Sequence, residues 1–389
     1  MGKFYRNEGI FLSGYEVKGE RLRAVLVGVD TGAAELWSLE DSLDELERLA
    51  HTADLETVAR LTQKMAAPHN VTYLGAGKVQ ELKTLAASVD ADVIIFDDEL
   101  TPRQESALTR ELGEAIMTID RTALILQIFA DHATSREGKL QVELAQLEYE
   151  LPRLRGKWSH LTKEKLGGGT GSGTRFGAGE SQLESDRRMI RKRIGMLKKK
   201  ITDVERERTT QRSRRQASRI FRVVLVGYTN AGKSTLLNRL SSADVLVYDK
   251  LFATLDATTR RIGFEDGRQA TLTDTVGFIN KLPHTLVASF TSTLDEVREA
   301  DLLLHVVDAA ASVARAQIAS VQEVLIELGA EKKPQLLVFN KSDELDAADC
   351  SALLTRWPGS VAVSALTGDG IDELRRRLSV LSERSSVPQ

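Results

Sequence analysis

The feature that most constrains this chain is a hydrophobic run that leads directly into a glycine-rich loop pattern. Val223 to Val226 is typical of a buried strand, and Gly227 to Ser234 then reads Gly-Tyr-Thr-Asn-Ala-Gly-Lys-Ser, the spacing G-x-x-x-x-G-K-S. The two glycines let the backbone wrap so that successive N–H groups point at a phosphate, and the following helix adds its positive end. The pattern predicts an α/β fold with a nucleotide phosphate site at the end of this strand.

Oxygen-bearing side chains around this loop should complete a magnesium and phosphate site. We expect Lys233 to reach the β- and γ-phosphates and the Ser234 hydroxyl to bind Mg²⁺. Asp274-Thr-Val-Gly277 ends another strand-like run, where Asp274 should hold Mg²⁺ through water and the Gly277 N–H should meet the γ-phosphate. A threonine upstream should close over the metal, and the spacing leaves three candidates open: Thr254, Thr258 and Thr259.

A second motif, Asn340-Lys-Ser-Asp343, follows the hydrophobic run Leu336 to Phe339 and predicts selectivity for guanine. The Asp343 carboxylate can accept from both the ring N–H and the exocyclic amino group of guanine, whereas adenine offers neither donor there. Asn340 should brace the loop, and the Lys341 stem should cover the base. After the next strand-like run, Ser364-Ala-Leu366 should aim the Ala365 N–H at guanine O6. The order of these motifs predicts a GTPase.

The periodicity of the chain predicts three parts. Residues 1–137 alternate strand-like and helix-like runs and should form a small α/β domain. Residues 138–217 carry apolar residues at a/d spacing on both sides of a glycine-rich run, 167–179, as in a two-helix antiparallel coiled-coil arm with a flexible tip. Residues 218–389 should form a P-loop GTPase domain, doubly wound on a mostly parallel sheet. Its strands are expected at 221–226, 260–265, 269–273, 302–307, 335–339 and 360–363.

Several residues outside these motifs have simpler structural interpretations. Apolar residues from Ser42 to Met65 recur at helical spacing and predict a helix. The Gly-Lys pair within Leu74–Val79 lacks the first glycine and the metal-binding hydroxyl of a phosphate loop, so it predicts a turn before a helix. Asp97 and Asp98 should form a turn or cap a helix rather than bind metal. His305, within an apolar run, should be a core histidine.

The overall charge and cysteine content narrow the class of protein. With a formal net charge of −3, no global field attracts nucleic acid, so any basic surface must be local. The single cysteine, Cys350, excludes an intramolecular disulfide and suits a reducing compartment. No segment offers about 18 uncharged apolar residues, and the N-terminus lacks a signal-type hydrophobic run. We therefore expect a cytoplasmic protein without a membrane span.

One segment, Arg187 to Arg219, is strongly basic. It contains fourteen Lys or Arg residues against three acids, an excess of eleven, which leaves −3 − 11 = −14 for the rest of the chain. Such segregation is the footprint expected for contact with a nucleic-acid backbone, although a solvated helix face is the alternative. The seam of the predicted helix leaves these basic residues pointing outward: Arg188, Arg191, Lys192, Lys198 and Lys199.

Longer stretches between Tyr73 and Val297 add further motifs: Phe96-Asp-Asp-Glu-Leu-Thr-Pro-Arg-Gln104, Asp120–Phe129, Gly138–Leu147, Gly179–Glu184, Leu282–Val287 and Phe252-Ala-Thr-Leu-Asp256. Together with the phosphate loop, these stretches resemble the HflX family of ribosome-associated GTPases. Family members commonly read Gly-Pro-Gly-Glu at the arm tip, where this chain has Gly177-Ala-Gly-Glu180. The resemblance implies binding to the large ribosomal subunit and its RNA, and splitting or rescue of stalled ribosomes under stress.

The resemblance also selects Thr254 as the magnesium ligand and makes Phe252 to Asp256 line the nucleotide. Lys233, Thr254 and Gly277 are then the expected catalytic residues, and Ser234, Thr254 and Asp274 the expected Mg²⁺ ligands. The full set of expected GTP contacts is Gly227, Tyr228, Thr229, Asn230, Ala231, Gly232, Lys233, Ser234, Thr235, Phe252, Ala253, Thr254, Leu255, Asp256, Asp274, Thr275, Val276, Gly277, Asn340, Lys341, Ser342, Asp343, Ser364, Ala365 and Leu366.

Phe278 stands where Ras-like proteins place the glutamine that orients the attacking water. A phenyl ring cannot do this, so we expect slow hydrolysis alone and acceleration by a partner; Arg260 or Arg261 acting internally is the alternative. A GTP-gated RNA chaperone or ribosome-assembly factor is the alternative function, and an ATP-driven helicase conflicts with Asp343. The free protein is expected to be a monomer that binds GTP and GDP.

Overall fold

A computed structural model describes residues 21–32, 36–164, 176–216, 220–241, 251–252, 254–283 and 291–386. The chain divides into two compact units, one of residues 1–131 and 139–203 and the other of residues 132–138 and 204–389. The segment His132–Gly138 thus belongs to the second unit, whereas periodicity grouped nearly all of it with the N-terminal part. The predicted three-part division otherwise stays a prediction. Within the described ranges, no helix has the length and apolar character needed to cross a membrane.

The first unit is built on a four-stranded sheet whose neighbouring strands all run parallel, in the order β2-β1-β3-β4. The inner strands β1 and β3 are almost continuously buried, as expected for a parallel sheet covered on both faces. The elements before the long helices are β1 (Arg23–Asp30), α1 (Leu39–Thr52), β2 (Glu56–Lys64), α2 (Ala76–Ser88), β3 (Val93–Phe96), α3 (Pro102–Leu112), β4 (Met117–Asp120) and α4 (Arg121–His132).

The helix predicted across residues 42–65 is wrong in its second half. Helix α1 ends at Thr52, Asp54 turns the chain with φ of 61°, and the remaining residues form β2 as an edge strand beside β1. The apolar spacing of this segment is compatible with a helix and with a strand. Pairing with β1 favours the strand because it provides hydrogen-bond partners for the backbone N–H and C=O groups of the whole segment. The turn before a helix predicted at the Gly-Lys pair is confirmed: Gly75 is the N-cap of α2.

A buried cluster of charges ties α1, β3 and α4 together. Arg121, fully buried, donates to Glu45 at 2.7 Å and to Asp97 at 2.5 Å, and Ser42 Oγ donates to the other oxygen of Asp97 at 2.8 Å. Burial alone would lower the pKa of Arg121, but the two carboxylates outweigh it and raise that pKa. Asp97 therefore neither forms a turn nor caps a helix as predicted; it is the counter-ion of a buried guanidinium.

Two long helices follow, α5 (Arg136–Glu164) and α6 (Phe176–Gln216). Four of their apolar side chains form a buried cluster, Leu144, Leu147, Leu197 and Ile201, with Leu140, Ile190 and Ile194 packed against it. The coiled-coil arm stays a prediction, and residues 167–175 of its tip lie outside the described residues. The rest of the predicted tip, 176–179, is the first turn of α6, where glycine weakens a helix by only about 1 kcal/mol per residue.

The second unit has a six-stranded sheet in the order β10-β9-β8-β5-β7-β6, with only the β6–β7 pair antiparallel. This is the predicted P-loop fold with a mostly parallel sheet. Because β5 lies between β7 and β8, its carboxyl end meets theirs at one edge. The elements are β5 (Phe221–Gly227), α7 (Lys233–Ser241), β6 (Thr258–Gly263), β7 (Gln269–Asp274), α8 (Thr291–Glu299), β8 (Leu302–Asp308), α9 (Ala314–Glu327), β9 (Gln335–Asn340), α10 (Ala347–Arg356), β10 (Val361–Ala362) and α11 (Ile371–Ser386).

Replacing Arg121 by methionine should destabilise the first unit by about 3–5 kcal/mol, because Glu45 and Asp97 would be left as uncompensated buried charges. The matched control is Arg60→Met, whose partners Asp44 and Glu47 are 54% and 43% exposed, and which should cost at most about 1 kcal/mol. Urea unfolding, monitored by hydrogen exchange of the β1 and β3 amides, measures the free energy of unfolding of both variants. Equal losses in the two variants would contradict the role given to the cluster.

Candidate nucleotide-binding site

The phosphate loop lies between the end of β5 and the start of α7, as the sequence predicted. Gly227 has φ of 152° and Gly232 has φ of 86°, and a Cβ on either would lie 2.1 Å from a neighbouring atom. Those atoms are the Val306 carbonyl oxygen for Gly227 and Asn340 Nδ2 for Gly232. Both glycines are therefore required by close packing as well as by backbone conformation.

Lys233 lies buried inside the loop. Its ammonium donates to the carbonyl oxygens of Gly227 at 3.1 Å and Tyr228 at 2.8 Å. Burial lowers the pKa of Lys233 to about 8, and Asp274 partly offsets the effect. A phosphate in the loop would offer this ammonium a stronger, charged acceptor than a carbonyl oxygen.

The structure brings together the three predicted magnesium ligands. Ser234 Oγ is 2.8 Å from Thr254 Oγ1 and donates to Asp274 Oδ2 at 2.6 Å. The second oxygen, Asp274 Oδ1, is buried and has no hydrogen-bond partner among the described residues. Burial raises the pKa of Asp274, opposed by Lys233 and by hydrogen bonds from Ser234 and Thr254. Hydroxyl and carboxylate oxygens with an unused lone pair fit Mg²⁺, which prefers hard oxygen ligands.

The three candidate threonines differ in position. Thr258 and Thr259 are part of β6, and Thr259 Oγ1 is paired with Thr273 Oγ1 at 3.0 Å. Thr254 precedes the strand and is the one whose hydroxyl reaches Ser234. Ala253, next to it, lies outside the described residues.

The segment after β7 packs directly on the phosphate loop. Phe278 N–H donates to the Gly227 carbonyl at 3.1 Å, and Thr229 N–H donates to the Phe278 carbonyl at 2.7 Å. The Phe278 ring is completely buried, so it serves as a core residue and cannot face an attacking water. A Cβ on Gly277 would lie 3.1 Å from Lys233 Nζ, so this glycine lies beside the ammonium.

Asn340 links the phosphate loop to the loop Ser364–Leu366. Its Nδ2 donates to the Ala231 carbonyl at 2.9 Å, and its Oδ1 accepts from the Ala365 N–H at 2.9 Å. The predicted bracing role is therefore visible, but the Ala365 N–H expected to donate to guanine O6 is already engaged. A guanine oxygen would have to share or displace Asn340 Oδ1 at this donor.

Two residues that sequence reasoning missed hold the same loops. Arg239 on α7 donates to the carbonyl oxygens of Ala365, at 3.1 Å, and of Leu366. Asp308, at the end of β8, accepts from Lys341 Nζ at 2.6 Å, which fixes the lysine stem. The position of Asp308 at a strand end was the available signal for it; nothing local marks Arg239. Asp343 lies in the short 3-10 helix Ser342–Glu344 and is exposed.

Asp256 lies two residues after Thr254 but contacts a different part of the unit. Its carboxylate accepts hydrogen bonds from Thr134 and Ser135 of the same unit rather than pointing into the cluster around Ser234. Burial would raise the pKa of Asp256, but these hydrogen bonds outweigh burial and lower it. No local pattern in the sequence indicated this pairing.

Two other predictions concern residues away from the loops. The five basic residues expected to contact RNA are all exposed on α6, but Lys198 pairs with Glu148 at 2.8 Å and Arg191 lies 3.9 Å from Glu184. Acidic partners are therefore present for two of the five. His305 is a core residue of β8 as predicted, and burial, with Lys233 adding to it, lowers its pKa to about 4.

Three family models match the chain in order. Residues 40–130 match a model described as GTP-binding GTPase N-terminal, residues 132–215 one described as GTP-binding GTPase middle region, and residues 222–341 one described as 50S ribosome-binding GTPase. In this chain, the third match contains the phosphate loop and Asn340.

Curated proteins named GTPase HflX are similar to most of the chain. One from Lacrimispora saccharolytica is 47% identical over 374 residues, covering 96% of this chain and 86% of its own length. One from Escherichia coli strain K12 is 45% identical over 350 residues, covering 89% and 79%. A GTP-binding protein from Sulfolobus solfataricus, solved with GDP, aligns with 94% of this chain and 100% of its own at 25% identity and a TM-score of 0.46.

The lowered pKa of Lys233 predicts that nucleotide binding weakens at alkaline pH. Phosphates stabilise the protonated ammonium, so the bound state holds more protons than the free state above pH 8, and affinity should fall as pH rises. The loss should approach about tenfold per pH unit between pH 8 and 9.5. GDP affinity measured across this range tests it, with guanosine as the control because it carries the same base without phosphates. Parallel curves for the two ligands would contradict the prediction.

Proposed function

This chain belongs to the HflX family of GTPases, and from that premise we propose that it uses GTP to act on the large ribosomal subunit, splitting or rescuing stalled ribosomes under stress. The observation that carries the GTP part is the cluster of Lys233, Ser234, Thr254 and Asp274 at the end of β5. The ribosomal part is supported by the match of residues 222–341 to a family model described as 50S ribosome-binding GTPase.

In the proposed complex, the phosphate loop from Gly227 to Thr235 surrounds the phosphates and Lys233 contacts the β- and γ-phosphates. Ser234 and Thr254 would hold Mg²⁺ directly and Asp274 through water, and the bound ion would supply positive charge to the phosphate oxygens. The Gly277 N–H donates to the γ-phosphate. These roles suit the buried Lys233 and Asp274, because both charged groups gain compensating partners when nucleotide and metal bind.

Guanine recognition is assigned to Asp343, with Lys341 along the face of the base. Asp308 supports this role because it fixes the Lys341 ammonium and leaves the aliphatic stem as a platform. Asn340 contributes indirectly, by holding the phosphate loop and the Ser364–Leu366 loop in register. GTP and GDP share these contacts, so both should bind.

Hydrolysis is proposed to be slow until a partner supplies the missing group. Phe278 occupies the position after Gly277 and its ring is buried, so no side chain at that position can orient water. Groups supplied by partners in other GTPases accelerate hydrolysis by about 10³–10⁵-fold. We assign the partner role to the large ribosomal subunit, with RNA contact through exposed basic residues of α6 such as Arg188, Lys192 and Lys199.

Replacing Asp343 by asparagine should convert the preference from GTP to xanthosine triphosphate, because the asparagine amide can donate to the xanthine oxygen. We expect GTP affinity to fall by about 10²-fold or more, since a charged acceptor for two donors is lost. Competition of both nucleotides against a labelled analogue measures the change. Glu344→Gln, the adjacent exposed carboxylate, is the control and should keep the GTP preference. An unchanged preference in Asp343→Asn would refute the guanine assignment.

Purified large subunits should raise the GTP turnover by about 10³-fold or more at low salt, and the effect should weaken as salt rises.

Sedimentation of stalled ribosomes with the chain and GTP, GDP or a non-hydrolysable analogue tests whether the ribosome is split. The subunits should separate only with a triphosphate. In the triple variant Arg188→Ala, Lys192→Ala, Lys199→Ala, the stimulation by large subunits should depend less on salt. Stimulation only by immature particles would favour an assembly factor, and no stimulation would reject the ribosomal proposal.

A further inference from the structure

Asp256 and the segment His132–Gly138, here called the brace segment, form a polar contact that the nucleotide chemistry does not require. Asp256 Oδ2 accepts from Ser135 N–H at 2.7 Å, from Thr134 Oγ1 at 2.7 Å and from Thr134 N–H at 3.3 Å. Asp256 Oδ1 accepts from Ser135 Oγ. One half-buried carboxylate is thus held by two side-chain and two backbone donors of the brace segment.

The donors on the brace segment are themselves fixed by the start of helix α5. Ser135 Oγ accepts from the Gly138 N–H at 2.9 Å, which is the N-cap hydrogen bond of α5. A carboxylate at this position also faces the positive end of the helix. A Cβ on Gly138 would lie 2.7 Å from Asp256 Oδ1, so the contact depends on glycine there.

A second contact ties the other side of Thr254 to the same segment. His132 Nδ1 lies 3.0 Å from the carbonyl oxygen of Phe252, which makes the imidazole the donor. Phe252 is buried and has φ of 57°, a conformation that residues with side chains adopt only when their surroundings hold them. Residues two before and two after Thr254 are therefore both anchored to the brace segment.

The anchored loop presents Thr254 to the metal ligands. Thr254 Oγ1 is 2.8 Å from Ser234 Oγ, although Thr254 lies outside any helix or strand. A loop ligand that is held in place before binding loses less conformational freedom when the metal arrives. The contacts of Phe252 and Asp256 supply that restraint from outside the nucleotide site.

We propose that Asp256 and His132 are positioning residues for Thr254, acting through the brace segment to hold its hydroxyl where the triphosphate-bound metal needs it. This inference rests on the proposed role of Thr254 as a magnesium ligand. Asp256 then contributes to hydrolysis without touching the nucleotide, and its effect is confined to the triphosphate state, in which Thr254 is expected to act.

The test compares variants of the full chain in single-turnover GTP hydrolysis as a function of Mg²⁺ concentration, together with GDP affinity. Asp256→Ala should lower the hydrolysis rate and raise the Mg²⁺ concentration for half-maximal rate, each by about tenfold, because charge-assisted hydrogen bonds are lost. GDP affinity should change by less than about twofold. Asp256→Asn keeps one acceptor oxygen and should fall between Asp256→Ala and the unaltered chain.

Two further variants separate this inference from the assignment of Thr254. Thr254→Val should show the same loss, and Thr254→Val combined with Asp256→Ala should be no worse than Thr254→Val alone. Additive losses in the double variant, or a normal Mg²⁺ dependence in Asp256→Ala while Thr254→Val is impaired, would overturn the positioning role alone. A normal Mg²⁺ dependence in Thr254→Val would overturn the metal assignment and the positioning role together.

The matched control is Asp266→Ala, because Asp266 is also a carboxylate held by several hydrogen bonds in the second unit, in the turn between β6 and β7. It should leave the hydrolysis rate and the Mg²⁺ dependence unchanged. Hydrogen exchange of the amides of Thr254, Leu255 and Asp256 should speed up in Asp256→Ala but not in Asp266→Ala. Loss of GDP affinity in Asp256→Ala would indicate a general structural defect and contradict the proposal.

Discussion

The geometry of the candidate site depends on two hydrogen bonds made by the side-chain amide of Asn340. An amide offers a donor and an acceptor a fixed distance apart, and here the donor reaches the Ala231 carbonyl while the acceptor takes the Ala365 N–H. The same Nδ2 leaves no room for a side chain at Gly232. One buried residue therefore sets the spacing between the phosphate loop and the loop proposed to bind guanine.

Buried charge organises both units, but in opposite ways. In the first unit, the positive charge of Arg121 is compensated within the protein by two carboxylate partners. In the second, Lys233 and Asp274 are both buried. Burial lowers the pKa of Lys233 and raises the pKa of Asp274, which favours the neutral form of each group. Such a site is incomplete electrostatically until phosphates and a divalent cation arrive, which is what a nucleotide site requires. The first arrangement is structural and the second is suited to a ligand.

The segment preceding β6 is held on both sides of Thr254. Its nucleotide-facing residue, Thr254, meets Ser234, whereas its flanking residues contact the brace segment. Packing of Phe278 against the phosphate loop fixes the other side of the site through backbone hydrogen bonds. The groups proposed to hold the γ-phosphate and metal are therefore supported by residues that do not touch them, a common requirement for precise placement of reacting atoms.

The sequence by itself determined the fold of the second unit, the position of the phosphate loop, the Asn340–Asp343 motif and the absence of a water-orienting side chain at Phe278. These follow from neighbours in the chain, because a hydrophobic strand, fixed glycine positions and strand-end polar residues are local patterns. Only the tertiary structure decided that residues 56–64 pair as a strand, that Asn340 takes the Ala365 N–H, and that Asp256 pairs with Ser135, 121 positions away. Hydrogen bonds between distant segments depend on how the elements pack, and no periodicity along the chain records which partner a side chain will meet.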